Sequence, residues 1–177
     1  QDERLATVRR DGEIGIRVRV AQVTGTFELT IRAGYFWERG LGAEWVIREN
    51  LFNGVRLNWD KIPELPFLSQ ERVVQPPLEL NLDKRYRYEL EDVEEVEGHS
   101  CWRLAFEPLD ENVSLHRGRA WIDRRTAALV RVRTTQTRLS PPLISDEETQ
   151  TFRPHEGPDG TTYWLLDDID GQQIYTV

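Results

Sequence analysis

The chain has 177 residues, 38% of them hydrophobic and 10% aromatic, and its 23 Lys and Arg against 31 Asp and Glu leave a net charge of -8. That apolar content excludes disorder as the main state, and the length is that of about one domain, able to bury roughly two thirds of its unfolded surface. The negative balance argues against a nucleic-acid partner, which needs a clustered basic face, and no run of about 18 apolar residues exists to span a membrane as a helix.

Taken in chain order, the pattern is one of strands. Ile14, Ile16, Val18 and Val20 alternate with Arg17 and Arg19, and after a turn near Thr24-Gly25 the residues Phe27, Leu29 and Ile31 repeat the alternation. A period of two places such residues on one face of a strand. The runs at 44–52 and 55–59 flank Asn53-Gly54, a pair that readily takes the two positive φ angles of a type I′ hairpin turn. Residues 60–77 then carry Pro63, Pro66, Pro76 and Pro77 among Ile62, Leu65, Phe67, Leu68, Val73 and Val74. Proline at that density defeats helix and ladder, yet the segment is too apolar for a free linker; it is expected to lie across a hydrophobic surface, with one short helical turn around Ser69–Val73.

Leu78, Leu80 and Leu82 lead into the richest stretch, Lys84–Arg138, which reads as four strands at 84–96, 100–108, 116–123 and 127–138. Tyr86, Tyr88 and Leu90 alternate with Arg85, Arg87 and Glu89, and Trp102, Leu104 and Phe106 with Arg103, Ala105 and Glu107. Such a sheet has one apolar and one polar side. Gly98 and Asp123–Thr126 supply turns, and the acidic run Glu91, Asp92, Glu94, Glu95, Glu97 reads as solvated. Three more strand-like runs follow, at 143–154, 162–168 and 171–177, the last two parted by a turn at Gly171. The total is roughly ten strands. The chain opens on Gln1 without a signal-peptide pattern and breaks off within a strand-like run, so it is expected to be a processed or truncated part of a longer chain.

Catalytic and metal chemistry find no foothold. His99, His116 and His155 fall in or beside turns, read as exposed, with no second ligand at metal spacing. Gly98-His99-Ser100-Cys101-Trp102 begins like a nucleophile elbow but lacks the second glycine and the strand-to-helix setting. Asp168-Ile169-Asp170-Gly171 is half of a calcium loop without its closing Glu. Cys101 is alone, pointing away from Trp102, and reads as a buried, inert thiol. The expectation is a non-enzyme with no catalytic residue, no metal and no cofactor.

The strings Gly98-His99-Ser100-Cys101-Trp102-Arg103-Leu104-Ala105-Phe106-Glu107-Pro108, Arg117–Val132 with a strand ending in Trp121-Ile122-Asp123 before a tight turn, and Ser145–Phe152 resemble the outer-membrane lipoprotein-sorting superfamily. That superfamily includes the LolA and LolB carriers and related bacterial lipid-binding domains. The resemblance covers residues 84–177, and residues 1–60 by strand pattern alone; the N-terminal helix usual in the family is missing. It implies a mainly β fold over 1–177, a strongly curved antiparallel sheet or incomplete barrel, with 60–77 as the covering loop. It also implies a periplasmic or otherwise extracytoplasmic, bacterial setting and a lipid or lipoprotein acyl chain as ligand. On this reading Tyr86, Tyr88, Trp102, Leu104 and Phe106 line the concave face, together with Phe27, Leu29, Ile31 and Phe67. The alternative is a structural or interaction module of a larger envelope or secreted protein, its apolar face fully packed, with an envelope protein as partner.

Overall fold

The computed structural model describes residues 6–19, 26–57, 83–110 and 112–175. The expected cover at 60–77, the Leu78–Leu82 alternation and the turn near Thr24-Gly25 lie outside these residues. The described chain is mainly β, with ten strands and no helix. It divides into two compact units, Gln1–Pro76 and Pro77–Val177. Where the sequence reading has one curved sheet, the strands form two, each an antiparallel meander in which every strand pairs with its neighbours in sequence and neither closes.

The first unit holds β1 (Thr7–Arg19), β2 (Thr26–Glu38), β3 (Gly42–Phe52) and β4 (Val55–Leu57) in the order β1-β2-β3-β4. The register sets Ile14 opposite Ile31, Ile16 opposite Leu29 and Val18 opposite Phe27, so the expected apolar faces of the first two strands coincide. Leu29, Ile31 and Ala33 are buried on that side. On the other, Arg32 joins Glu13 at 2.8 Å and Glu49 at 2.7 Å, and Arg17 joins Glu28 at 2.5 Å. Asn53 and Gly54 have φ of 48° and 78° with Phe52 opposite Val55, the two-residue turn that Asn-Gly implies. Its Asn53 side chain also accepts the Glu28 N–H at 2.8 Å, fastening the hairpin tip to β2.

The second unit holds β5 (Tyr86–Val96), β6 (His99–Pro108), β7 (His116–Asp123), β8 (Leu129–Gln136), β9 (Leu143–Glu156) and β10 (Thr162–Tyr175), in the order β10-β9-β8-β7-β6-β5. The four strands expected between Lys84 and Arg138 are β5–β8. Glu97 and Gly98 make the first turn with φ of 51° and 78°. One expectation fails: Asp168–Gly171 do not turn, because β10 runs unbroken through them with Gly171 opposite Glu148. The long β9 offers a partner along the whole run, and a bulge between Leu166 and Asp168 absorbs the change of pattern.

Two apolar clusters organise this unit. Phe106, Ala120, Val132 and Phe152 are buried together, with Tyr86, Tyr88, Leu129, Trp164 and Leu166 packed around them. Val96, Cys101 and Val130 form the second, against Trp121 and Trp164. Phe106 sits directly opposite Gly118 on β7. A Cβ at Gly118 would run into the Arg133 carbonyl and stand 3.1 Å from Phe106 Cζ. The missing side chain is therefore what admits the ring. Gly118→Ala is expected to cost about 2–4 kcal/mol, as overpacking and a displaced strand do. Urea unfolding measures it, and a loss below about 0.5 kcal/mol would show that the sheet accommodates the methyl group.

Candidate functional site

The candidate surface is the apolar face of the six-stranded sheet. Cross-strand partners share a face, so the register traces it: Tyr88 opposite Phe106, Leu90 opposite Leu104 and then Ala120, Val93 opposite Trp102 and then Ile122. At the Phe106 end the face is closed by packing, with the Tyr86 ring edge-on to Phe106 at 6.1 Å. At the other end it is open: Leu90 is 61% exposed, Val93 44% and Trp102 37%, with Leu104 and Ile122 half-buried.

The residues expected to line one cavity therefore separate. Tyr86, Tyr88 and Phe106 come together in the core cluster, while Leu104 and Trp102 continue the same face towards solvent. Leu29 and Ile31 are core residues of the first unit, and Phe27 stacks on Phe52 there at 6.1 Å. Phe67 lies outside the described residues.

The sheet is strongly bent. His99 at the start of β6 and Trp164 on β10 meet edge-on, with ring centroids 4.9 Å apart. Four strand spacings separate those strands in the sheet order, about 19 Å on a flat sheet, so only a curled sheet brings the rings into contact. This contact also corrects the reading of the histidines. His99, His116 and His155 are all half-buried, where the sequence reading has them exposed.

His99 Nδ1 lies 3.0 Å from the buried Asp123 Oδ2. The other oxygen, Oδ1, accepts the N–H groups of Arg125 and Thr126 at 2.8 and 2.7 Å and the Thr126 hydroxyl at 2.9 Å. Burial by itself raises the carboxyl, but the bonds from Thr126, Arg125 and His99 outweigh it and hold Asp123 at about 2. One carboxylate thus ties the β7–β8 turn to the β5–β6 turn. Cys101 is buried beside it, and burial first, then the Asp123 and Glu94 charges, push its thiol up, away from nucleophilic reactivity. Ser100, next to His99, points to the opposite face by alternation and is exposed. The pair has the geometry of a structural latch, with no nucleophile placed against it. Among the described residues, no group of three or more His, Cys, Asp or Glu is arranged to hold a metal ion.

The acidic run that reads as solvated is partly stitched into the polar side of the sheet. Glu91 receives Arg103 at 2.7 Å and Arg119 at 2.9 Å, and these bonds, that of Arg119 first, hold its carboxyl below the usual range. Glu94 accepts the Trp121 indole N–H and Arg103, and Glu97 pairs with Arg131 at 2.6 Å. The sequence carried a signal for this in the alternating arginines 103, 119 and 131, whose partners only the register identifies.

No protein-family model matches the chain, and neither curated proteins nor solved structures include a significant match to it.

The latch has a signed pH dependence. Because the folded carboxyl of Asp123 titrates below its unfolded counterpart, its contribution is present above about pH 4 and lost as pH falls towards about 2. Asp123→Asn is expected to destabilise the protein by about 1–3 kcal/mol at neutral pH and to flatten that acid limb. Urea unfolding of both proteins between about pH 2 and pH 6 tests this. An unchanged acid limb in the variant would assign the dependence to other carboxylates.

Proposed function

We propose that the protein is a non-catalytic extracytoplasmic binding domain of the lipoprotein-sorting kind, holding the acyl chain of a lipid or lipoprotein on the apolar face of its six-stranded sheet. Residues 60–77 are its cover, and the setting is the bacterial periplasm or another extracytoplasmic space. The observation that carries this reading is the half-open state of the face, packed at Phe106 and exposed at Leu90, Val93 and Trp102. An aliphatic chain along the open stretch needs no catalytic group. Each methylene it buries contributes about 0.8 kcal/mol, so ten of them give about 8 kcal/mol before the cost of ordering the chain. The likeness of Gly98–Phe152 to the lipoprotein-sorting strings supports the same ligand class.

A second reading has an observation of its own. Phe106, Tyr86 and Tyr88 pack on one another and on Ala120 and Val132 as a core does. On that reading the module is structural, and its open end docks an envelope protein. Fatty-acid binding by the wild-type protein and by Trp102→Glu separates the two, with Phe106→Glu as the core control. Under the acyl-chain reading, wild-type protein carries or takes up fatty acid, visible by native mass spectrometry and by a fluorescent fatty acid. Trp102→Glu should fold and bind at least ~10-fold more weakly, the weight of about 1.4 kcal/mol, whereas Phe106→Glu should fail to fold. A wild-type protein with a clean apo mass and no uptake of fatty acid would leave the docking module as the surviving reading.

A further inference from the structure

Of the five asparagines in the chain, at 50, 53, 58, 81 and 112, only Asn112 has a hydroxyl residue two positions on. Asn112-Val113-Ser114 is an acceptor tripeptide for an N-linked sugar, with a residue other than proline in the middle. Asp110, two positions before, completes the acidic form Asp-x-Asn-x-Ser that bacterial acceptor sites take. Short motifs recur by chance, so the placement in the fold decides whether this one can act.

We propose that Asn112 is a site of N-linked glycosylation, taking an oligosaccharide from a polyprenyl-diphosphate carrier on a membrane transferase. Asp110, Asn112, Val113 and Ser114 are all exposed on the connection between β6 and β7. Both ends of that connection are tied by backbone bonds: the Leu109 N–H donates to the Arg85 carbonyl, and the Thr137 N–H to the Leu115 carbonyl, each at 2.8 Å. Between the ties, among the described residues, Asn112, Val113 and Ser114 are held through side chains alone. The Asn112 N–H and Nδ2 donate to Asp110 Oδ1 at 2.9 and 3.1 Å, and Arg138 donates to the Asn112 carbonyl at 2.5 Å. Thr137 Oγ1 donates to the Val113 carbonyl at 3.0 Å. A transferase therefore lifts these residues by exchanging exposed side-chain bonds, without opening a sheet ladder.

In the transfer, Asn112 Nδ2 forms a bond to the anomeric carbon of the sugar while the bond from that carbon to the diphosphate oxygen breaks. The electron pair leaves with the polyprenyl diphosphate, and one Nδ2 proton passes to a base of the transferase. The Ser114 hydroxyl is the group read beside the acceptor amide; it now donates to the Arg138 carbonyl at 2.8 Å and accepts from Gln136 at 2.6 Å, both at exposed positions. A glycan here leaves the open apolar stretch clear. The connection follows the end of β6 where Pro108 stands opposite Tyr86 and Phe106 is packed, whereas Trp102 and Val93 lie towards the other end. The proposal rests on the extracytoplasmic setting of the preceding reading and not on its acyl ligand.

Incubation of the purified full chain with a bacterial oligosaccharyltransferase and a polyprenyl-diphosphate oligosaccharide tests the site. It is read by intact mass and by the tryptic peptide 104–117, in which Asn112 is the single asparagine. A single glycan on Asn112 is expected, lost in N112D, S114A and D110N and kept in S114T, with the strand signature of every variant unchanged by circular dichroism. A wild-type chain that stays unmodified would overturn the proposal, as would a glycan that survives N112D or an S114T chain that takes none. The same peptide from the chain isolated from its own cells tests the setting separately. Peptide 104–117 should carry the glycan in the extracytoplasmic fraction. An unmodified peptide in that fraction would overturn the site and leave the setting standing, whereas a chain confined to the cytoplasm would overturn both.

Discussion

The second unit depends on a glycine that makes room for a ring. With Gly118 opposite it, Phe106 lies over the β7 backbone and becomes the centre of a cluster drawn from β6, β7, β8 and β9. A side chain there would lift the ring and collide with the Arg133 carbonyl, separating β7 from β8. The same sheet curls far enough for Trp164 on β10 to meet His99 at the start of β6. Trp164 packs against both clusters and so links the ring over Gly118 to the Cys101 end of the sheet.

At the turns, the buried Asp123 carboxylate takes four hydrogen bonds from His99, Arg125 and Thr126, and His99 stands between that carboxylate and the Trp164 ring. On the polar side, arginines of β6 and β7 converge on Glu91, so the acidic strand β5 is partly neutralised where it meets its neighbours.

Much of this was legible in advance, for a definable reason. Strands whose apolar residues alternate strictly, such as β2 and β6, declare themselves, and Asn53-Gly54 and Gly98 mark turns because few residues adopt positive φ without strain. Cys101 followed from the same alternation and is buried as expected. Bulges were not legible. Those at Glu91, Val130 and Asp167 insert a residue without a compositional mark, and each shifts which side chains share a face beyond it. Gly171 misled because glycine signals a turn only where no partner strand is present, and β9 supplies one.

The amino-acid sequence by itself determined the mainly β class of fold and the identity of the apolar face in the Lys84–Arg138 run. Those properties rest on a period of two and on local turn chemistry, which are readable from neighbouring residues. Only the tertiary structure decided that the strands make two sheets and that Tyr86, Tyr88 and Phe106 are core while Trp102 stays open. The same holds for His99, which is a latch rather than a surface residue. Alternation names a face but carries no information on how far the sheet curls over it. That distance is set by contacts such as Phe106 on Gly118 and Trp164 on His99, between residues remote in the chain.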